Sequence, residues 1–419
     1  MLDLTRHPEK VLLIGVGLKS DTAANLENSL DELALLAESA GAVVVGILKQ
    51  RLEKIIPATY IGSGKIQEIA KLREEISANI VIIDAKLSGV QQRNIETLIG
   101  AKVLDRHQLI LDIFAQRAQT REGKLQVELA QLKDQMPRLI GESIAGLSKQ
   151  GGGIGTRGPG ETKLEMDRRR IRTRIEQVTK ALEAVRKSRE LHRKRRQASH
   201  IPVLALAGYT NAGKSTLLNY LTHSDVLAED KLFATLDPTT RKLRLPSGKQ
   251  AVVTDTVGFI DNLPHHLIEA FKATFEEITQ ADVILHIHDA SHPFGPQQTH
   301  VVSELLKEIG VHDKPIIHVY NKIDKVQTMS ERTTQRESPF VNVSSIDGNG
   351  MDQLLELIER VLNEMSVSVD LYLPTSDPSL VFNLARDGKI LSQESGPHVI
   401  HCRVKLTEEA LQRWSRYLT

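Results

Sequence analysis

The sequence predicts an α/β chain in four parts. A parallel α/β domain covers residues 1–120, a helical hairpin of coiled-coil type 121–200, a second α/β domain built on a phosphate loop 201–365, and a small α/β appendage 366–419. Three observations predict this. Short β-branched runs alternate with helix-forming stretches in two separate regions, the pattern of parallel sheets with crossover helices. Between those regions, two long stretches carry apolar residues at alternating spacings of four and three. The octet GYTNAGKS then fits the pattern G-x-x-x-x-G-K-[ST]. At 419 residues the chain exceeds one ordinary domain, and 40% hydrophobic content is enough for several cores.

In chain order, residues 11–18 (VLLIGVGL) and 42–48 (AVVVGIL) read as buried strands around a helix near Leu26–Ser39. Asn79–Asp84 is a further strand, followed by helical Val90–Ile99, a strand at Lys102–Asp105 and helical His107–Ala118. The turn TYIGSGK, Thr59 to Lys65, invites a nucleotide. However, Thr59 stands where a second phosphate loop would need its first glycine. A packing or partner-contact loop is the competing reading, and both stay open.

From about Arg121 the pattern changes. Leu125, Leu129, Leu132, Met136 and Leu139 form one apolar seam; Ile171, Ile175, Val178, Leu182 and Val185 form another. Pro137 is expected to kink or end the first helix. The glycine-rich GGGIGTRGPGE, Gly151 to Glu161, is expected at the tip of an antiparallel hairpin. Lys163 to Arg196 holds fourteen Lys/Arg against five Asp/Glu, a net +9 in a chain whose total is +1. A solvated coiled-coil face would be the ordinary explanation. Yet the runs Arg168–Arg170 and Arg193–Arg196 have few acidic neighbours, and nearly one-signed charge on a long helix suits a polyanion, RNA above all.

Residues 201–364 should place strands at Lys242–Leu245, Ala251–Thr254, Val283–Ile287, Ile316–Tyr320 and Phe340–Val343. In the tail, Leu380–Leu384 is a short apolar patch, His398–Val404 is strand-like and Thr407–Tyr417 helical. One cysteine, Cys402, rules out an internal disulfide and fits a reducing cytosol. The start MLDLTRHPEK lacks the order of a signal peptide, and no apolar run is long enough to cross a bilayer. A cytoplasmic protein with no membrane insertion is expected.

The chemistry follows from the octet and its successors. A triphosphate needs converging backbone N–H groups and a helix N-terminus aimed at it. Gly208, Tyr209, Thr210, Asn211, Ala212 and Gly213 would supply the loop, Lys214 would reach the β/γ phosphates, and the Ser215 hydroxyl would ligate Mg²⁺. Asp255, Thr256, Val257 and Gly258 (DTVG) end a strand; the carboxylate would hold Mg²⁺ through water and the Gly258 N–H would sense the γ-phosphate. Asn321, Lys322, Ile323 and Asp324 (NKID) follow another. There Asp324 would accept from the two donors on the guanine edge, a pair that adenine cannot supply. Ser344, Ser345 and Ile346 would close over the base. The segment FATLDPTT, with Phe233, Ala234, Thr235, Leu236 and Asp237, would bring the second Mg²⁺ hydroxyl. In this order the stations specify GTP. Phe259 stands where Ras-like switches carry the glutamine that orients the attacking water. Unaided hydrolysis should therefore be slow. Asn211 either helps to bind a monovalent cation such as K⁺ beside the phosphates or merely braces the loop.

IGSGK, the stretch Leu104 to Leu132, GGGIGTRGPGETKLEMDRRRIR, GYTNAGKSTLLN and FATLDPTTR together resemble the HflX family of the Obg–HflX GTPase superfamily, over residues from about 10 to 365. The resemblance implies an N-terminal family domain, a helical linker, a G domain and a small C-terminal domain. It also implies Mg²⁺ on Ser215 and on Thr235 in preference to Thr239, with Lys214, Asn211, Thr235 and Gly258 as the catalytic set. It further implies binding to the large ribosomal subunit and its rRNA, as a single copy, and GTP-dependent separation of stalled ribosomes. A role in ribosome biogenesis, and the ATP use reported for some members' N-terminal domain, stay open. The last guanine loop reads SSI where Ser-Ala is usual, and the tail matches the family weakly. Two competing readings are an RNA-remodelling ATPase and a non-ribosomal signalling GTPase.

Overall fold

The computed structural model describes residues 8–20, 22–147, 159–197, 201–223, 232–261, 267, 271–326 and 339–418. The first part alternates as expected: β1 (Lys10–Leu18), α1 (Ala23–Ser39), β2 (Val43–Leu52), α2 (Ser63–Glu75), β3 (Ile80–Ile83), α3 (Gly89–Ile99), β4 (Lys102–Asp105) and α4 (Arg106–Arg117). Its four strands lie in the order β2-β1-β3-β4, all parallel. The continuous apolar runs of β1 and β3 fit strands buried on both faces. The segment Thr59–Lys65 differs from the single turn expected. The turn closes by Gly62, whose N–H donates to Gln50 Oε1 at 3.1 Å, and Ser63 already begins α2.

Helix α5 (Arg121–Leu147) packs on α6 (Pro159–Gln197). Arg174 holds Glu128 through Nε at 2.5 Å. These two residues lie at similar distances from the connection, as antiparallel helices require. Val178 and Leu129 are buried in the seam. Pro137 does not end α5, which continues ten residues beyond it. Its missing N–H removes one hydrogen bond of the helix. Arg138, the next residue, clamps that turn to Asp134 (2.9 Å) and to Asp105 at the end of β4 (2.9 Å). Residues 151–158 of the expected tip lie outside the described residues, while Pro159, Gly160 and Glu161 open α6 rather than belonging to a loop. The acidic neighbours of the basic run are closer than expected. Glu165 lies 3.8 Å from Arg168 and Asp167 lies 3.5 Å from Arg170, both as partly exposed pairs one turn apart. Pairs of that kind contribute little.

The second sheet has the order β10-β9-β8-β5-β7-β6, built from β5 (Val203–Gly208), β6 (Thr239–Arg244), β7 (Gln250–Asp255), β8 (Val283–Asp289), β9 (Ile316–Asn321) and β10 (Phe340–Asn342). All neighbours are parallel except β6 with β7. Helices α7 (Lys214–Thr222) and α10 (Met351–Glu364) cover one face; α8 (Lys272–Gln280) and α9 (Gly295–Glu308) cover the other. The α8/α9 core does not stop at this sheet. It runs on through Phe233, Phe271 and Phe114 to Leu33 and Leu30 beneath the first sheet. Phe114 of α4 meets Phe233 and Phe271 edge-on, each at 4.7 Å between ring centroids.

The tail is an antiparallel sheet, β11 (Ser366–Pro374), β13 (Val399–Thr407) and β12 (Lys389–Ser395), with α11 (Ser379–Asp387) and α12 (Glu408–Trp414). The apolar patch Leu380–Leu384 lies in α11, which buries Leu380 and Leu384 and leaves Phe382 75% exposed, and Trp414 Nε1 donates to Asp387 at 2.8 Å. No helix among the described residues is long and apolar enough to cross a membrane.

Candidate nucleotide site

Strand β5 ends at Gly208 between β7 and β8, and the octet turns there into α7. A Cβ on Gly208 would meet the Ile287 carbonyl oxygen at 2.5 Å. Gly213 has φ +91° and Asn321 Nδ2 where a side chain would go. Only glycine fits at either place. Lys214 then opens α7, buried, with Nζ donating to the carbonyls of Gly208 (3.0 Å) and Tyr209 (2.8 Å). Burial pulls its pKa down to about 8; the Asp255 carboxylate opposes this and Lys322 adds to it.

Ser215 Oγ donates to Asp255 Oδ2 at 2.6 Å and lies 2.8 Å from Thr235 Oγ1. Asp255 is fully buried at the end of β7, and burial raises its pKa against the opposing Lys214, Ser215 and Thr235. Its Oδ1 is buried without a hydrogen-bond partner. Two hydroxyls and an under-used carboxylate therefore converge, a hard oxygen set of the kind magnesium takes. These residues fit that ion.

One cavity is lined by Thr210, Asn211, Gly213, Lys214, Ser215, Thr216, Phe233, Ala234, Thr235, Thr256 and Gly258. Thr216 is an addition to the sequence expectation. As the third residue of α7 it carries one of the helix's unbonded N–H groups, which the first-turn position could have signalled. Several expected residues point elsewhere. The Tyr209 hydroxyl leaves the site, donating to Glu32 Oε1 of α1 at 2.6 Å and accepting from the Asp261 N–H at 2.9 Å. Leu236 and Val257 are buried in the shared core. The Asp237 carboxylate accepts from the N–H groups of Gln119 and Thr120 (2.9 Å each) and from the Thr120 hydroxyl, at the start of α5. Ala212 is buried, with its carbonyl accepting from Asn321 Nδ2 at 2.9 Å. Phe259 keeps backbone bonds to the loop, N–H to Gly208 O (3.1 Å) and O from the Thr210 N–H (2.7 Å), while its ring stacks on Phe275 in the core.

At the other end, Asn321 Oδ1 accepts from the Ser345 N–H (3.1 Å) and hydroxyl (2.8 Å). Lys322, at φ +62°, pairs with Asp289 at 2.8 Å. Asp324 is exposed, and its Oδ1 accepts from the Ser344 hydroxyl at 2.8 Å. Ile323 is half-buried and Ile346 is 70% exposed. A cavity lined by the phosphate loop and its cation set, with a separate braced loop after β9 that carries an exposed carboxylate, suits a guanine nucleotide and cleavage of its terminal phosphate. Glu32, Thr120 and Asp289 were not foreseen. They act on site residues from far away in sequence, and no local motif signals them.

Fold and site together define a phosphate-loop GTPase. Residues 27–115 match the family described as GTP-binding GTPase N-terminal, 117–196 that described as GTP-binding GTPase Middle Region, and 203–322 that described as 50S ribosome-binding GTPase. A GTPase HflX of Caldanaerobacter subterraneus subsp. tengcongensis is 45% identical over 419 residues, covering 100% of this chain and 96% of that one. The Escherichia coli K12 GTPase HflX is 42% identical over 370 residues, with coverages of 87% and 86%. The chain belongs to the HflX family of GTPases, and its reaction is GTP hydrolysis. A crystal structure of a GTP-binding protein from Sulfolobus solfataricus with GDP aligns over 85% of this chain and 100% of that one. The identity is 25% and the TM-score 0.46, too low for the likeness to carry an inference.

Proposed function

We propose that the chain binds GTP between its phosphate loop and Asp324 and uses the GTP state to bind the large ribosomal subunit and separate stalled ribosomes in the cytoplasm. Gly208–Ser215 hold the phosphates, Asp324 reads the guanine edge, and Asn321 and Ser344–Ile346 close the base loop. Ser215 and Thr235 hold Mg²⁺ with Asp255 behind them. Bound there, the ion neutralises charge on the β- and γ-phosphate oxygens. Lys214 balances the same charge, and the Gly258 N–H faces the γ-phosphate. Phe259 is committed to the core and cannot orient water, and the bound partner or a monovalent cation beside Asn211 completes the reaction. Rates that are equal in K⁺ and Na⁺ would leave the partner alone.

The observation that carries the ribosomal part is the charge of α6, net +9 over Lys163–Arg196 on a helix of 39 residues that packs on α5. Such a rod grips phosphate without regard to sequence. The relatives' name and the printed description 50S ribosome-binding GTPase agree with that partner. The test is co-sedimentation with 50S subunits and 70S ribosomes, in GDP and in a non-hydrolysable GTP analogue. The comparison variant replaces residues 151–161 by a short Ser/Gly linker. Retention on 50S in the analogue alone, with separation lost in the linker variant while GTP affinity holds, is the expected result. No nucleotide-dependent retention would return the protein to the signalling reading.

A further inference from the structure

Behind the nucleotide site, on the face of β8 and β9 covered by α9, three histidines meet. His286 and His318 are register partners on adjacent strands, and His288 follows two residues after His286. All three are buried, at 1%, 6% and 5% exposure. One nitrogen from each lies within 4.8 Å of the other two. The ring of Tyr320 stacks on His288 at 4.7 Å between centroids. The G-domain chemistry described above uses none of these groups.

The ordinary explanation is a polar seam that satisfies its own hydrogen bonds. That explanation accounts for His288 but not for His286. Thr299 Oγ1 donates its single proton to Gly295 O at 3.0 Å, so at its 2.9 Å contact with His288 Nδ1 it accepts. The Nδ1 of His288 therefore carries the proton and its Nε2 presents a lone pair. That lone pair accepts the proton of His318 Nδ1 at 3.0 Å, a proton that a bound cation would displace. His286 Nε2 is buried with no hydrogen-bond partner at all. A buried imidazole nitrogen without a partner, with two further imidazole nitrogens within 4.8 Å, is the arrangement a missing ligand leaves behind.

We propose that His286, His288 and His318 form a binding site for a d-block divalent cation of the zinc type, separate from the magnesium site at Ser215 and Thr235. Three imidazoles with no carboxylate select zinc, cobalt, nickel or copper over magnesium and calcium. Zinc–nitrogen bonds of about 2.0–2.1 Å in a tetrahedron set donor atoms roughly 3.4 Å apart. His288 Nε2 and His318 Nδ1 therefore need to separate by only a few tenths of an ångström. The third imidazole closes the set by a small ring rotation, and a water completes it. Thr299 supplies the outer contact that fixes the tautomer of a metal-bound histidine. Burial, aided by His318, holds the His288 pKa down to about 3, which leaves the lone pair unprotonated in neutral solution. His288 precedes Asp289, which holds Lys322, and His318 lies three residues before Asn321. A cation here would stiffen the strand ends that carry the base loop.

The test uses the full-length protein stripped with a chelator and returned to excess Mg²⁺. Zn²⁺ is titrated against a chromogenic chelator, and Co²⁺ is followed by its visible absorption. The parent is expected to take up about one equivalent of Zn²⁺ and to give Co²⁺ the intense bands of a tetrahedral site. His288→Gln and His318→Gln should each weaken uptake by tenfold or more, whereas Ser215→Ala, which removes a magnesium hydroxyl, should not. X-ray absorption of the zinc-loaded parent gives a reading independent of any variant's folding, and three imidazole nitrogens are expected around the metal. No uptake above the Mg²⁺ background would overturn the proposal. So would uptake unchanged in folded His288→Gln and His318→Gln proteins, or a zinc shell made of oxygens.

Discussion

Asp324 is set apart from its neighbours by exposure. Lys322 and Asn321 are tied down by Asp289 and Ser345, whereas the exposed Asp324 uses Oδ1 for Ser344. If that carboxylate reads guanine, Asp324→Asn should weaken GTP and shift preference toward xanthine nucleotides, which present a carbonyl where guanine has its amino group. A hydrogen bond to a charged group contributes about 1.5–3 kcal/mol, so the loss should be about tenfold to a hundredfold in competition binding. Unchanged GTP affinity would remove the role. Tyr209 shows a different side of the same loop. Its hydroxyl joins Glu32, which also pairs with Arg106, to the Asp261 backbone, with burial and Glu32 raising its pKa out of the working range. Tyr209→Phe keeps the ring and loses both bonds. A stability loss of about 1–3 kcal/mol is expected in denaturant unfolding. A loss too small to measure would mean that water replaces the hydroxyl.

At the scale of elements, the start of α5 is capped twice over. Thr120 Oγ1 accepts from the Gly123 N–H at 3.0 Å, and Asp237, from the segment that carries Thr235, takes the N–H groups just before it. A carboxylate at a helix N-terminus is favoured by the helix dipole as well as by the bonds. Asp237→Ala should therefore cost about 1–2 kcal/mol. It should also loosen Thr235, two residues away, which would appear as weaker Mg²⁺ dependence of GTP binding. A stability loss with Mg²⁺ dependence intact would show the cap and the cation site to be uncoupled. Most elements were legible in the sequence because their signals are local. The β-branched runs of β1 and β3 and the seams of α5 and α6 each repeat within one turn or one pleat. Helix α2 was not legible, since its glycine-rich start reads as a loop and only the Gln50 contact to Gly62 settles where the turn ends. The passage of α5 through Pro137 was hidden too, because the clamp from Arg138 reaches Asp105, thirty-three residues back.

At the scale of the whole molecule, the domain order could be read from the sequence but the shared core could not. Nothing near FATLDPTT says that Phe233, which lines the cavity, also packs its ring on Phe114. That pairing joins residues more than a hundred positions apart and depends on how two sheets meet. The consequence is that the first α/β domain forms part of the wall behind Thr235. Phe114 is 1% exposed and touches Phe233 and Phe271, so its removal leaves a cavity between the domains rather than inside one. Phe114→Ala should destabilise by about 3–5 kcal/mol, and it should move the unfolding of both domains together. Leu384→Ala, in the separate core of the tail, serves as the comparison, because its cavity touches neither. Two signals would be followed in denaturant: release of a fluorescent GDP analogue from the G domain, and hydrogen exchange in β1 and β3. With Phe114→Ala both midpoints should fall by the same amount, whereas with Leu384→Ala neither should move. If β1 and β3 opened earlier while nucleotide release kept its midpoint, the two domains would be stable independently, and the first could not hold Thr235 in place through Phe233.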